Sequence, residues 1–304
     1  MYRSVIIPLD GSRLSEAILP YARAIAQAFH CPVDLLQVIE PETIETLGDP
    51  GRGSFLDVVE ADLRRSTKDY LNTVRASFDT GSSVDCHIEV GNPAEVIMKR
   101  AEQASEALIA MSTHGRSGLQ RWYVGSVADK VLRTSKNPML IVKGGEQVES
   151  SEETATACIE RLLLCLDQSP LAELAVPHAV ALAEALGARL DLMCVYTALT
   201  RAEPGEGFLP NYETMTATLR HEARGYLEKQ ASTLEHMGLG QVNCIVQEGD
   251  AAAEIIDVAH KMEENLVVMS SHGRSGIGRW VLGGTTDRVV RYSKDPVLVI
   301  RAPE

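Results

Sequence analysis

The sequence predicts two tandem doubly wound α/β domains, each a five-stranded parallel sheet with helices on both faces. Three observations lead there. The chain has 304 residues, about twice a common domain length. It also repeats itself: residues 112–143, beginning "STHGRSG", align without a gap to 270–301, beginning "SSHGRSG", with half of the positions identical. Finally, each copy alternates short apolar runs with stretches of helical periodicity, the pattern of strands that are buried on both faces. The domains are expected at 1–146 and 158–304. The polar, acidic stretch 144–156, "GGEQVESSEETAT", joins them with the composition of a linker.

In the first copy "SVIIPL" (4–9) is a short β-branched run that ends at Asp10-Gly11, a turn signal. Ser12 can cap a helix running through Phe29, because Leu14, Ile18, Tyr21, Ala22 and Ile25 recur at helical spacing. A second strand follows at 33–39, then an irregular segment over 40–55 and a long helix near 55–77. "VDCHIEV" (84–90) reads as a third strand. A helix with proline in its first turn occupies 93–104, and "ALIAM" (107–111) is a fourth strand. After the His-Gly-Arg-Ser-Gly loop come a helix over about 126–135 and a last strand at 138–143. The second copy keeps this order: "VIIPLDGS" (5–12) answers "LLLCLDQS" (162–169), Gly91 faces Gly249, and the irregular insert falls at 197–213. Right-handed crossovers then give a Rossmann-like domain whose ligands sit beyond the carboxyl ends of the strands, where the winding reverses.

Composition narrows the function. Only 5% of residues are aromatic, so the cores are aliphatic. Acidic residues outnumber basic ones 42 to 29, for a net charge of −13, which argues against a nucleic-acid partner. Cys31, Cys86, Cys158, Cys165, Cys194 and Cys244 form no C-x-x-C pair or metal-like spacing and read as buried, reduced thiols. No apolar run is long enough to span a membrane, and the first residues read as a strand rather than a signal peptide. A cytoplasmic protein without a membrane partner is expected.

The repeated loop points to an anion. Nine residues separate Gly115 from Gly125, and Ser126 then opens a helix. The first amides of a helix lack intrahelical partners, and the helix dipole favours negative charge there. Amides around Gly115, Arg116, Ser117 and Gly118 can add a concavity, with Arg116 and Arg121 supplying charge. The second copy repeats the arrangement at Gly273, Arg274, Ser275 and Gly276, then Gly283. A phosphate suits this geometry.

With the strand-end aspartates Asp10 and Asp167, the spacing resembles the universal stress protein family, and the resemblance covers both halves of the chain. Nucleotide-binding members carry G-x-x-G-x9-G-(S/T) after a first strand ending in aspartate. The first copy reads Ser112-x-x-Gly115-x9-Gly125-Ser126, and the second Ser270-x-x-Gly273-x9-Gly283-Gly284, followed by Thr285. Both copies have serine where the family has its first glycine. The second also lacks the hydroxyl after its last, so the first ranks as the better site. The resemblance implies that backbone groups at Val38 and Val195 meet adenine, that ATP or a related nucleotide is the ligand, with or without Mg²⁺, and that the protein regulates a stress response. In the family the last strands pair across a twofold interface. That implies a pseudo-dimer of the two domains, and a homodimer of chains is also open.

Other candidates read more plainly. His114 and His272 have no partner acid or nucleophile assigned by spacing and are taken as loop-stabilising hydrogen bonders. Asp10 and Asp167 either hold a ribose hydroxyl or Mg²⁺, or cap the turn after the first strand. Trp122 and Trp280 are expected to pack against a neighbour. The histidines suggest no metal site. No G-x-x-x-x-G-K-(S/T) loop is present, so little or no ATP hydrolysis is expected, at most a slow ATPase. A nucleotide-free scaffold with a degenerate loop is the rival reading, and a cyclic nucleotide would leave the same signature.

Overall fold

A computed structural model describes residues 1–47, 56–78, 83–113, 125–144, 155–197, 212–273 and 282–301. The chain divides into two compact units, Met1–Cys158 and Ile159–Glu304.

The first unit runs β1 (Ser4–Pro8), α1 (Arg13–Glu16), α2 (Leu19–Phe29), β2 (Val33–Ile39), α3 (Pro41–Leu47), α4 (Leu56–Ala76), β3 (Val84–Val90), α5 (Pro93–Gln103), β4 (Ala107–Ser112), α6 (Ser126–Thr134) and β5 (Met139–Val142). Its strands lie in the order β3-β2-β1-β4-β5. All pairs are parallel, with Val5 opposite Val33, Ser4 opposite Ala107 and Ile109 opposite Met139. The chain winds from β1 outward to β3, then returns to β4 on the other side of β1. The switch point therefore lies between β1 and β4, as expected, because these strands pair directly.

The second unit repeats the plan with β6 (Arg161–Cys165), α7 (Pro170–Glu173), α8 (Val176–Leu186), β7 (Arg189–Tyr196), α9 (Tyr212–His236), β8 (Asn243–Glu248), α10 (Ala251–His260), β9 (Asn265–Ser270), α11 (Gly284–Tyr292) and β10 (Val297–Ile300). Its order is β8-β7-β6-β9-β10, again parallel.

The cores are aliphatic. Ile6, Ile7, Leu35, Leu36, Leu108 and Ile109 are wholly buried in one unit, and Leu163, Leu164, Leu192, Val267 and Val268 in the other. Each contributes about 1.5–3 kcal/mol relative to an exposed side chain. All six residues of β4 and of β9 are buried, which fits strands covered on both faces.

Three details differ from the sequence reading. The single helix expected over 12–29 is two: α1 ends at Glu16 and α2 begins at Leu19. Pro20 has no N–H to give to the carbonyl of Glu16, so the first turn must end and a new helix start with proline in its opening turn. Pro177 breaks the second unit in the same way. The segment 40–55 is also not irregular throughout, because Pro41 opens the short helix α3. None of the six cysteines is in a disulfide, and three are buried as expected, but Cys86 and Cys244 are half-buried and Cys158, in the polar connecting segment, is exposed. No helix among the described residues is long and apolar enough to cross a membrane.

Candidate functional site

The carboxyl ends of β1 and β6 have the same local build. After Pro8 the chain makes one further backbone bond to its neighbour, Leu9 N to Leu36 O at 2.8 Å, and then turns away. Parallel ladders use the N–H and C=O of alternate residues on one side, so those of Val38 face the same side as those of Leu36. There the first strand has ended, and among the described residues Val38 has no backbone partner in that gap. The second unit matches: Leu166 N donates to Met193 O at 2.8 Å, and Val195 opens onto the space beyond. Each unit thus leaves one main-chain donor and one acceptor side by side at the lip of its crevice.

The aspartate follows at once. Asp10 Oδ1 accepts from Ser12 N at 2.9 Å and from Ser12 Oγ at 2.6 Å. Asp167 Oδ1 accepts from Ser169 N at 3.0 Å and from Ser169 Oγ at 2.6 Å. Ser12 and Ser169 in turn cap α1 and α7, each accepting from the amide three residues on. One carboxylate oxygen of each aspartate therefore holds the turn, which is the capping role raised from the sequence. Gly11 takes φ +81° at the centre of this turn, and Gln168, its counterpart, φ +69°.

On the other side of the switch, β4 and β9 lead into the repeated loop. Ser112 and Ser270 are buried at the strand ends. The Ser112 hydroxyl packs against Gly144, where a Cβ would sit 2.9 Å from Oγ. The loop closes onto the next residue: Gly125 N donates to Thr113 O, and Gly283 N donates to Ser271 O at 2.9 Å. A Cβ on Gly125 would stand 2.8 Å from Thr113 O, an approach only glycine permits, and one on Gly283 would stand 3.0 Å from Ser271 O, a tight fit that would push the carbonyl back. These glycines are the N-caps of α6 and α11 and offer no side-chain oxygen to the helix amides, unlike Asn92 and Asp250 at α5 and α10. Ser126, and in the second unit Gly284 and Thr285, lie in those first turns. The acids nearby are drawn away: both oxygens of Asp129 bind Arg133, and both of Asp287 bind Arg291. The amide end of each helix is left able to meet an anion.

Gly273 lies against the aspartate. Any Cβ there would collide with Asp167 Oδ2, so the loop and the strand-end turn of the second unit touch at this point. His272 Nδ1 lies 3.0 Å from Ser271 Oγ, a bond inside the loop of the kind expected for this residue. Gly115, Arg116, Ser117 and Gly118, with His114, Arg121 and Trp122, lie outside the described residues; so do Arg274, Ser275, Gly276, Arg279 and Trp280.

A polar pair beneath each aspartate turn was not singled out from the sequence. Tyr226 of α9 donates to Glu173 Oε1 at 2.9 Å, and Gln230 Nε2 donates to the same oxygen at 3.0 Å. In the first unit Tyr70 of α4 faces Glu16 and Ser15, near Asp10. Burial, then the neighbouring glutamate, pushes both phenols well above the ordinary tyrosine range, so they remain protonated donors. Their signal was available: a tyrosine and a glutamate recur at matching places in both copies.

Fold and crevice together define a duplicated doubly wound α/β protein with main-chain polar groups and a helix amide end at each switch point. The chain belongs to the universal stress protein family, whose model matches residues 1–143 and 159–301. A universal stress protein of Mycolicibacterium smegmatis is 24% identical over 300 residues, covering 98% of this chain and 96% of its own length. One from Methanocaldococcus jannaschii is 31% identical over 144 residues, covering 47% of this chain and 83% of the relative. Among solved structures, a universal stress protein from Archaeoglobus fulgidus superposes with a TM-score of 0.66 at 21% identity, over 99% of this chain and 97% of that one. It shares the two-domain fold.

Proposed function

We propose that the chain binds ATP or a related adenine nucleotide in these crevices and regulates a stress response with little or no hydrolysis. The observation that carries this reading is the main-chain donor and acceptor of Val38, without a backbone partner among the described residues and repeated at Val195, at the lip where the first strand has already ended. The Watson–Crick edge of adenine offers the complement, an acceptor at N1 beside a donor at the 6-amine. The triphosphate would extend toward the glycine-capped start of α6 or α11. Asp10 and Asp167 stand between base and phosphates, where a carboxylate oxygen can take a ribose hydroxyl. Bound Mg²⁺ would supply phosphate charge neutralisation. Among the described residues neither crevice brings three metal-ligating side chains together, so the ion would arrive with the nucleotide. Among the described residues no base or nucleophile is placed to activate water, and His272 Nδ1 is engaged with Ser271 Oγ within its own loop.

Calorimetric titration of the full chain with ATP and Mg²⁺ tests this, followed by the same titration of Gly125→Ala and Gly283→Ala. Saturable binding that falls by one site in each variant is the expected result. No heat, together with no nucleotide released on denaturing the purified protein, would transfer the case to a nucleotide-free scaffold.

A further inference from the structure

We propose that Gln37 reads the base in the first unit's crevice, its Oε1 accepting a hydrogen bond from the exocyclic amine of adenine, and that the second unit has no such contact. This rests on the nucleotide reading above.

Each unit carries one glutamine at a matched pair of positions, one in the strand-end turn and one on the neighbouring strand, but at opposite members of the pair. In the second unit the glutamine is in the turn: Gln168 reaches down to the Cys194 thiol on β7, with Nε2 3.8 Å from Sγ. In the first unit the same two positions hold Gly11 and Gln37. The glutamine is now on β2, and the matched turn position is a glycine without a side chain. Gln37 is 7% exposed, and its Oε1 is buried with no hydrogen-bond partner. The polar groups of the turn are engaged with one another: Ser12 N and Oγ bind Asp10, Asp10 N lies 3.4 Å from Ser15 Oγ, and Ser15 Oγ binds Ser12 O.

An orphaned buried amide oxygen is costly, and a folded protein satisfies it with water or with a ligand. The position selects the ligand group. Gln37 directly precedes Val38, whose carbonyl faces the open lip and can take one hydrogen of an adenine amine. The second hydrogen needs another acceptor, and Oε1 is an acceptor with no partner among the described residues. Hypoxanthine presents a carbonyl oxygen at the same place, which would set acceptor against acceptor. Cys194 cannot substitute, since its sulfur already receives the Gln168 amide.

The test uses the full chain carrying Gly273→Val, which closes the second crevice by collision with Asp167, and compares ATP with inosine triphosphate. The parent should prefer ATP, and Gln37→Met should shrink that preference by about tenfold. Melting temperature should stay level or rise, because an unsatisfied polar group is replaced by an apolar one of similar length. The double substitution Gly11→Gln with Gln37→Cys copies the second unit's arrangement and should lose the preference equally. It also covers the case in which the methionine variant fails to fold. A preference that stays within about twofold of the parent overturns the inference and assigns Oε1 to water, with nucleotide binding intact. A parent that binds neither nucleotide overturns both this inference and the reading beneath it.

Discussion

Gly11 and Gln168 occupy the same left-handed turn, one with a glycine and one with a side chain that pays a steric cost there. Gly11→Ala should destabilise the first unit by about 1 kcal/mol. Gln168→Gly should be close to neutral, because relief of the backbone is offset by loss of the thiol contact and by a freer unfolded chain. Urea denaturation of the two variants checks both, and a large loss from Gln168→Gly would mean that the amide–thiol contact outweighs the turn. The glycines Gly125 and Gly283 were legible in the sequence as motif positions. Their reason was not, since the approach to Thr113 O and Ser271 O depends on where a strand end and a helix start meet in space.

At the scale of elements, the two copies solve one problem with different parts. An aspartate on the second strand of each unit is paired with an arginine, but from another element each time. Asp34 on β2 binds Arg100 of α5, with Nε to Oδ2 at 3.1 Å, and also faces His87. Asp191 on β7 is fully buried and takes Arg161 of β6 at 2.8 and 3.0 Å, with Asn243 Nδ2 on its other oxygen at 2.8 Å. Arg161 keeps 37% exposure and can turn to water, so Asp191→Ala should cost about 1–3 kcal/mol, chiefly from the Asn243 amide that loses its acceptor. Asp34→Ala should cost less, because its side chain keeps 19% exposure. Denaturation midpoints rank the two, and equal losses would contradict the burial argument. Strands and most helices were legible because periodicity and turn residues report them directly. The break at Pro20 was missed because the apolar spacing of Leu14, Ile18 and Ala22 continues across it. The arginine partners were also hidden: reach between elements leaves no periodic trace.

For the whole molecule, the titrating groups of the interior set an alkaline limit. Burial holds the Cys165 thiol up at about 12 against an ordinary 9.0, and raises Tyr2, Tyr70 and Tyr226 as well. These groups stay neutral in the fold while the unfolded chain ionises from about pH 9 upward. Stability is therefore complete below that pH and is lost as pH rises through the 9–12 window. Urea midpoints at pH 7.5 and 10.5 should differ in that sense, and Cys165→Val should flatten the slope. A midpoint that holds steady to pH 10.5 would show these groups to be solvated in the fold. The duplication was the most legible feature of the chain, because half of the 32 positions of 112–143 are identical in 270–301.

The lips at Val38 in one unit and Val195 in the other each present peptide groups, not side chains. A grip made of peptide groups is inherited through strand length and chain path, and the identity of the valines hardly enters it. Residues around such a grip are free to drift while the grip persists, which is how Gln37 and Cys194 can differ at matched positions of one polypeptide. Descendants of a doubled gene can then retune one pocket by changing a single codon, with the other copy left as it was.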